Sequence, residues 1–578
     1  MSEFDLVIRG GSVVDGRGGE PFAADVAIAG GVIVEVGKVA GSGRQEIDAK
    51  GAFVTPGFVD VHTHYDGQIT WENTLLPSSN HGVTTVVMGN CGVGFAPARP
   101  ADHERVIKLM EGVEDIPDVV MAEGVPWNWE TFLDYLDALD QRQADIDFAA
   151  QLPHSPLRVY VMGQRGADLE PATDEDLASM RAMVTQAVKA GALGVTTSRN
   201  LFHRLRTGEL APSVGVHERE LLELARGLRD AGTGLFQVIP YLHGEPEAEV
   251  ELFGKLVEAS GRPLNYSLIA YHENWQKYVD GVRKLTDKGL DIRGQFMVRP
   301  IGLLFGLDLS FHPFSLNPSY RAIADLPLAE KVARMRDPEL RARLLAEEPE
   351  DPNPGFVETV AIHGTMYLMD ETANYNFGDK DNLMLKAERE GRPVKEVIYD
   401  ALLQDDGRAI IVRYGAELDQ YLTNTAELIG REGTVPGLGD GGAHYGMICD
   451  AAFTTYLLAQ RVGKHGVTLP TAIKAITSMA AESVGMYDRG VIAPGYKADV
   501  NVIDMSRIAL HRPVVKANLP AGGKRLTQQS DGYIATIVSG QVTYREGEHT
   551  GALPGRLVRG EKSAPALVPG KVSLENAI

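Results

Sequence analysis

Cysteine is nearly absent: Cys91 and Cys449 are the two in 578 residues. That is too few for a disulfide framework and suits a reducing compartment. Long apolar runs are absent as well. No stretch approaches the ~20 consecutive apolar residues of a membrane span, and Met1-Ser-Glu-Phe-Asp has neither a basic n-region nor an apolar h-region. The expectation is a cytoplasmic protein with no membrane partner. Positive charge is in deficit, 56 Lys+Arg against 78 Asp+Glu for a formal net charge of −22. Such a balance opposes binding to nucleic acid and favours solubility. What remains is an ordinary globular composition, 44% hydrophobic and 23% charged. The length exceeds what one simple core supports, so a large domain with a smaller companion is expected.

The most informative residues are His62-Thr63-His64, which close the run Thr55-Pro-Gly-Phe-Val-Asp-Val-His-Thr-His. Phe58-Val59-Asp60-Val61 reads as a short buried strand after the Pro56-Gly57 breaker. Side chains two apart on a strand share a face, so both imidazoles leave together. Two neutral imidazoles at a strand's C-terminal end are half of a zinc-type donor set. Taken alone, His-x-His is equally a pair of polar residues where a strand enters a loop.

The flanks carry a resemblance. Thr55 to His64 is similar to the first barrel strand of the amidohydrolase superfamily, whose members are mostly metal-dependent hydrolases. Phe4-Asp-Leu-Val-Ile-Arg-Gly-Gly-Ser-Val-Val-Asp-Gly resembles the opening of the small β-sandwich that precedes that barrel, and Gly490-Val-Ile-Ala-Pro-Gly-Tyr-Lys-Ala-Asp-Val-Asn-Val-Ile-Asp resembles the return into it. Val83-Thr-Thr-Val-Val-Met-Gly-Asn-Cys-Gly-Val-Gly-Phe-Ala-Pro is similar to the second strand and loop of the N-acyl-D-amino-acid deacylase (D-aminoacylase) branch. The likeness spans nearly the whole chain in matching order.

Short apolar runs alternating with helical patterns fit repeated βα units. After the first strand and Val83–Asn90, strands are expected at Asp147–Gln151, Leu193–Ser198, Leu235–Pro240, Leu264–Ala270 and Asp291–Val298, and the last at Leu438-Gly-Asp. Thr173-Asp-Glu-Asp-Leu opens a helix with a cap and early acids. The predicted fold class is α/β, a TIM-like (β/α)8 barrel with its chemistry at the strands' C-terminal ends, plus a small β-sandwich built from both termini. Residues 1–55 and 485–550 form the sandwich, 56–484 the barrel, and roughly 300–430 an insertion or lid. Residues 551–578 read as a Gly/Pro-rich tail that could wrap a neighbouring subunit, and a homo-oligomer is left open.

The resemblance implies further site residues. Asp440, in Gly437-Leu-Gly-Asp-Gly-Gly-Ala-His, stands where the superfamily keeps an aspartate that touches the metal and accepts a proton from its water; the plain alternative is an Asp-Gly turn. His444 could hydrogen-bond substrate or cap the next helix. Cys91 stands where the resembling deacylases use cysteine as a metal ligand, whereas an isolated cysteine is more often a buried small hydrophobe. The departures matter as much. Ile239 and Leu268 occupy the positions of the family's strand-five and strand-six histidines, and Ala270 that of a lysine which helps hold the substrate carboxylate. His243 and His272 could reach back from loops as ligands or be plain loop residues. Arg199, Arg299 or Arg165 could grip a carboxylate bidentately or be ordinary ion-pair partners.

The cofactor expected is zinc, one ion favoured and two possible, and the partner a small-molecule substrate. The leading function is hydrolysis of a linear N-acyl-amino-acid-type or cyclic amide by metal-activated water, with Asp440 as general base. Two alternatives stand beside it. One is a hydrolase of the same fold acting on a lactone, a urea-like group or an activated ketone, and the other is a metal-free scaffold.

Overall fold

A computed structural model describes all residues except 1–2, 271–273, 371–374, 376 and 567–578. His272 therefore lies outside the described residues. Among those described, the expected run of parallel strands is present in chain order: Phe58–Asp60, Val83–Met88, Asp147–Ala150 continued by Leu152–Pro153, Gly194–Ser198, Leu235–Ile239, Leu264–Ser267, Ile292–Phe296 and Thr434–Pro436. They pair as two parallel arcs. One joins the first three strands, and the other runs from Leu152–Pro153 to Thr434–Pro436. These strands are buried on both faces, Val83–Met88 along its whole length, which is why they read as apolar runs rather than as alternation.

Helices fill the connections. Thr173 caps Asp174–Lys189 in a reciprocal capping box with Asp176, as its sequence predicts. Glu218–Ala231 buries Leu221, Leu224, Ala225 and Leu228 at helical spacing, with acids in its first turn and Arg229 in its last.

The eighth strand is a correction. It ends at Pro436, not at Leu438-Gly-Asp, because Leu438 and Asp440 take left-handed backbone conformations (φ 61° and 46°) that no strand accommodates.

The two chain ends share one mixed sheet of nine strands. Val500–Ile503 pairs antiparallel with Phe53–Pro56, Val502 opposite Val54, and Phe53–Pro56 continues onto Phe4–Val13. Leu6, Ile8, Val26, Val500, Val502 and Ile537 meet in one buried cluster on one face. Val7 and Ala27 are buried on the other. This sheet is tied to the parallel strands by ions: Asp147 of the third strand receives Arg489 at 2.8 Å and Lys497 at 2.9 Å, and Lys497 also pairs with Asp499. Removing one member of such a buried group typically costs about 3–5 kcal/mol, because a charge is left uncompensated.

Within the predicted insertion, Gly302–Phe305, Met366–Leu368 and Ile411–Tyr414 form an antiparallel sheet with its own cluster of Phe305, Phe314, Met335, Leu344 and Ile398. The tail adds to the fold. Its described part packs on its own chain: Gly555 bridges Ala144, Leu557 bridges Phe148, and Arg559 donates to the carbonyls of Leu136 and Ala190. Leu557 and Val558 are buried there, apolar residues that the Gly/Pro-rich composition conceals. No described helix is long and apolar enough to cross a membrane.

Deleting residues 1–50 removes four strands of the shared sheet and bares the apolar face of Val500 and Val502. The expected outcome is insoluble protein, scored by the soluble fraction after expression. A soluble truncation with native circular dichroism is the contrary result.

Candidate metal centre

Three donors converge. The ligating atoms of His62, His64 and Cys91 all lie within 4.8 Å of one another, and all three side chains are buried. His62 Nε2 is 3.3 Å from Cys91 Sγ and 3.5 Å from Asp440 Oδ1, and His64 Nε2 is 3.6 Å from the same Asp440 oxygen. The strand Phe58–Asp60 delivers the two histidines, and the loop after Val83–Met88 delivers Cys91. Asn90 locks these segments together: its Nδ2 donates to the Thr63 and Val87 carbonyls, while its Oδ1 accepts from Gln151.

Asp440 arrives from the far end of the chain. Its backbone N–H donates to His62 O at 3.1 Å, and His64 N–H donates to Gly441 O at 2.7 Å. The glycines of this run are required by contact. A Cβ on Gly439 would sit 2.3 Å from Asp60 Oδ2, and one on Gly441 2.5 Å from Ser78 Oγ. Cys91, Leu438, Asp440 and His444 all have positive φ (56°, 61°, 46° and 50°) and all line one cavity. Each costs of order 1–3 kcal/mol, and such strain gathers where a site must be pre-formed.

The cluster is electrostatically incomplete. Both nitrogens of His64, Asp440 Oδ1, Glu114 Oε1 and His444 Nδ1 are buried without a hydrogen-bond partner. Burial pushes His62 down to about 4 and His444 to about 4, while it pushes Glu114 up to about 8 and the Cys91 thiol up to about 12. Burial opposes a charge on His64 too, yet Glu114 and Cys91 hold its imidazolium well above the ordinary histidine range. Burial alone would raise Asp440, but the neighbouring imidazoles of His64, 3.6 Å away, and His62 depress it. Buried acids and imidazoles crowded this closely, with unpartnered atoms among them, mark where a divalent cation would sit. Imidazole, thiolate and carboxylate together suit zinc, which would also hold the thiol deprotonated.

Two residues that sequence reasoning missed complete this picture. Gln295, on the strand Ile292–Phe296, accepts from His62 Nδ1–H at 2.9 Å, which fixes the tautomer that aims the Nε2 lone pair at the cluster. Glu114 ends the helix His103–Glu114. Its Oε2 lies 3.4 Å from His64 Nε2 and 3.5 Å from His444 Nε2, and its carbonyl accepts from His444 N–H at 2.5 Å. A signal existed: an acid in a helix's last turn opposes the dipole and calls for another reason to be there.

The other predicted residues are not brought in. Tyr241 N–H is held by Glu249, which carries the loop outward, so His243 is exposed among the rings of Phe202 and Tyr241. Arg165 is a surface partner of Glu170 and Asp176, and Arg199 is taken by Glu249. Arg299 is buried, paired with Asp450 at 3.3 Å, and stacked on Tyr375 and Tyr456. Ile239 lines the cavity and Leu268 is buried, so neither position offers a donor.

Parallel βα units carrying buried imidazole, thiolate and carboxylate donors at the strands' C-terminal ends are the arrangement of a metal-dependent enzyme. The chain belongs to the amidohydrolase family, whose sequence profile matches residues 45–544. It is 26% identical to the N-acyl-D-aspartate deacylase of Alcaligenes xylosoxydans xylosoxydans, over 98% of this chain and 96% of that one. In fold it resembles the N-acyl-D-glutamate deacylase from Bordetella bronchiseptica, solved with zinc and a phosphonate mimic of the tetrahedral intermediate. That likeness has a TM-score of 0.64 and 21% identity, over 96% of this chain and 99% of the other. A D-aminoacylase structure described by a binuclear centre with one-metal activation and second-metal attenuation is similar to the same degree, at TM-score 0.64 and 22% identity over 97% and 100% of the two chains.

Protein loaded with zinc and desalted should hold near one equivalent by elemental analysis. His62→Ala and Cys91→Ser should each fall below about a tenth of an equivalent, because a structural imbalance of this kind is relieved only by the complete donor set. Full retention by both variants is the contrary result.

Proposed function

We propose that this protein is a metal-dependent amidohydrolase that cleaves a C–N bond of a linear or cyclic amide, with His62, His64, Cys91 and Asp440 holding the ion. The observation that carries the reading is the convergence of three buried donors on a cavity that also exposes Asp440. The names of its relatives bring N-acyl amino acids forward as the nearest substrate type. When bound, zinc supplies Lewis acidity, lowering the pKa of a coordinated water towards ~7 and polarising a carbonyl. One ion is the better supported count: among the described residues no second group of three donors exists, and Ile239 and Leu268 supply none.

The remaining steps belong to side chains. Asp440, with Oδ1 unpartnered, takes the proton of the attacking water and returns it to the leaving nitrogen. His444, neutral and on the cavity wall, offers its N–H to the oxyanion. A metal-free scaffold would have no use for this many orphaned donors, each of which costs stability. The architecture we infer is a closed (β/α)8 barrel, with a β-sandwich from residues 1–55 and 485–550 and a lid from about 300–430. Closure is supported by the backbone bonds between His62–His64 and Asp440–Gly441, and the lid by the contribution of Gly302 and Leu303 to the cavity.

Asp440→Asn keeps the side chain's shape and loses the basic oxygen. With zinc content measured alongside, kcat should fall at least ~100-fold, the lower range for loss of a general base. Wild-type turnover in this variant would move the base to another residue, with His444 the first to test.

A further inference from the structure

The cavity beside the donors, about 240 Å³, has a consistent chemical character. Val113, Ile239, Ile269, Met297, Ile301 and Leu303 supply an apolar wall, and among the described lining residues there is no lysine or arginine. Its acids are Glu114, Asp440 and Asp450, of which Asp440 is assigned to the ion and Asp450 is paired with Arg299, and Asn200, His203, Ser267 and His444 also line it. Arg299 does not line the cavity. It sits behind Asp450, 97% buried, with Nη1 donating to Cys449 O at 3.1 Å. Arg199 is likewise committed to Glu249. A substrate carboxylate pressed against the apolar wall would find no guanidinium or ammonium to grip it. A desolvated carboxylate without a partner is strongly unfavourable.

We infer that the substrate is an uncharged amide with an apolar substituent, not a free-acid N-acyl amino acid. The inference rests on the amidohydrolase reading of the same site and narrows it: the amine-side fragment released bears no carboxylate. Ligand pockets of this kind derive affinity from the apolar wall and orientation from a few polar groups, and here Asn200 and Ser267 add uncharged ones to those around the donors. A neutral cyclic amide satisfies the same walls as a neutral linear one.

The test compares matched substrates on zinc-loaded enzyme near neutral pH, in both enantiomers: N-acetylphenylalaninamide, N-acetylphenylalanine and N-acetyllysinamide, followed by acetate release. The phenylalaninamide should exceed the free acid by at least ~100-fold in kcat/KM, the scale of a buried charge left without a partner. It should also exceed the cationic lysinamide. Ile301→Arg should narrow or reverse the preference against the free acid by placing a guanidinium at the wall. Equal or better cleavage of the free acid overturns the inference while leaving the amidohydrolase reading intact. Preference for the lysinamide overturns the uncharged, apolar assignment. If no compound is cleaved, the amidase reading fails for this scaffold of substrates, and calorimetric binding of the same pair still decides the charge preference. Tighter binding of the phenylalaninamide supports it, and equal or tighter binding of the free acid overturns it.

Discussion

Two backbone hydrogen bonds join the His62–His64 segment to the Asp440–Gly441 segment, and the site depends on them. They stitch the end of the first parallel strand to the end of the last, so donors from opposite extremes of the chain occupy one small volume. The geometry is tight enough that Gly439 and Gly441 cannot carry side chains, and strained enough that Asp440 and Leu438 hold left-handed conformations. Such conformations persist only where the surroundings over-determine them. Here the surroundings are Asp60, Tyr65 and Ser78, which abut Gly439 and Gly441. The sheet strand Phe53–Pro56 runs through Gly57, whose N–H donates to Asp499 O, directly into the strand that bears the histidines.

Charge follows from that enclosure. Asp60, Asp66, Glu114 and Asp440 surround His64, all but Asp440 essentially inaccessible, and burial pushes Asp66 up to about 6 and Asp60 well above the carboxylate range. Without a cation these groups must share protons to remain buried. A divalent ion reverses that logic, favouring every deprotonated donor at once. Metal binding and the protonation state of the whole pocket are therefore one equilibrium, and loading the site releases protons.

Legibility in the sequence divided along a physical line. His62, His64, Cys91 and Asp440 were readable because a strand end and glycine-flanked turns leave local signatures, and the positions of the parallel strands were readable because buried strands are apolar throughout. The terminal strand was displaced by a few residues because Gly437-Leu-Gly-Asp keeps an apolar look while its backbone turns. Gln295 and Glu114 escaped notice, since a polar residue's partner across the fold is not a local property. For the same reason Arg165, Arg199 and Arg299 looked available, whereas each has its own carboxylate: Glu170 and Asp176, Glu249, and Asp450. The likeness between families brought forward His62, His64 and Cys91, which do converge in space. It carries the lining of the cavity poorly, because the lining comes from loops and from the 302–414 segment.

The tail has a kinetic meaning. Gly555 to Val558 lies along the third parallel strand, and Phe53–Pro56, which carries the opening strands, takes its other partner from Val500–Ile503. During synthesis, then, the terminal sheet cannot be completed until Val500–Ile503 has left the ribosome, nor that edge of the parallel strands until Gly555–Val558 has. Contacts of such sequence separation fold slowly and leave strand edges exposed in the meantime. For this protein the opening strands wait, an edge and an apolar face bared, for partners several hundred residues downstream, and that interval is the stage at which the nascent chain is most exposed to aggregation.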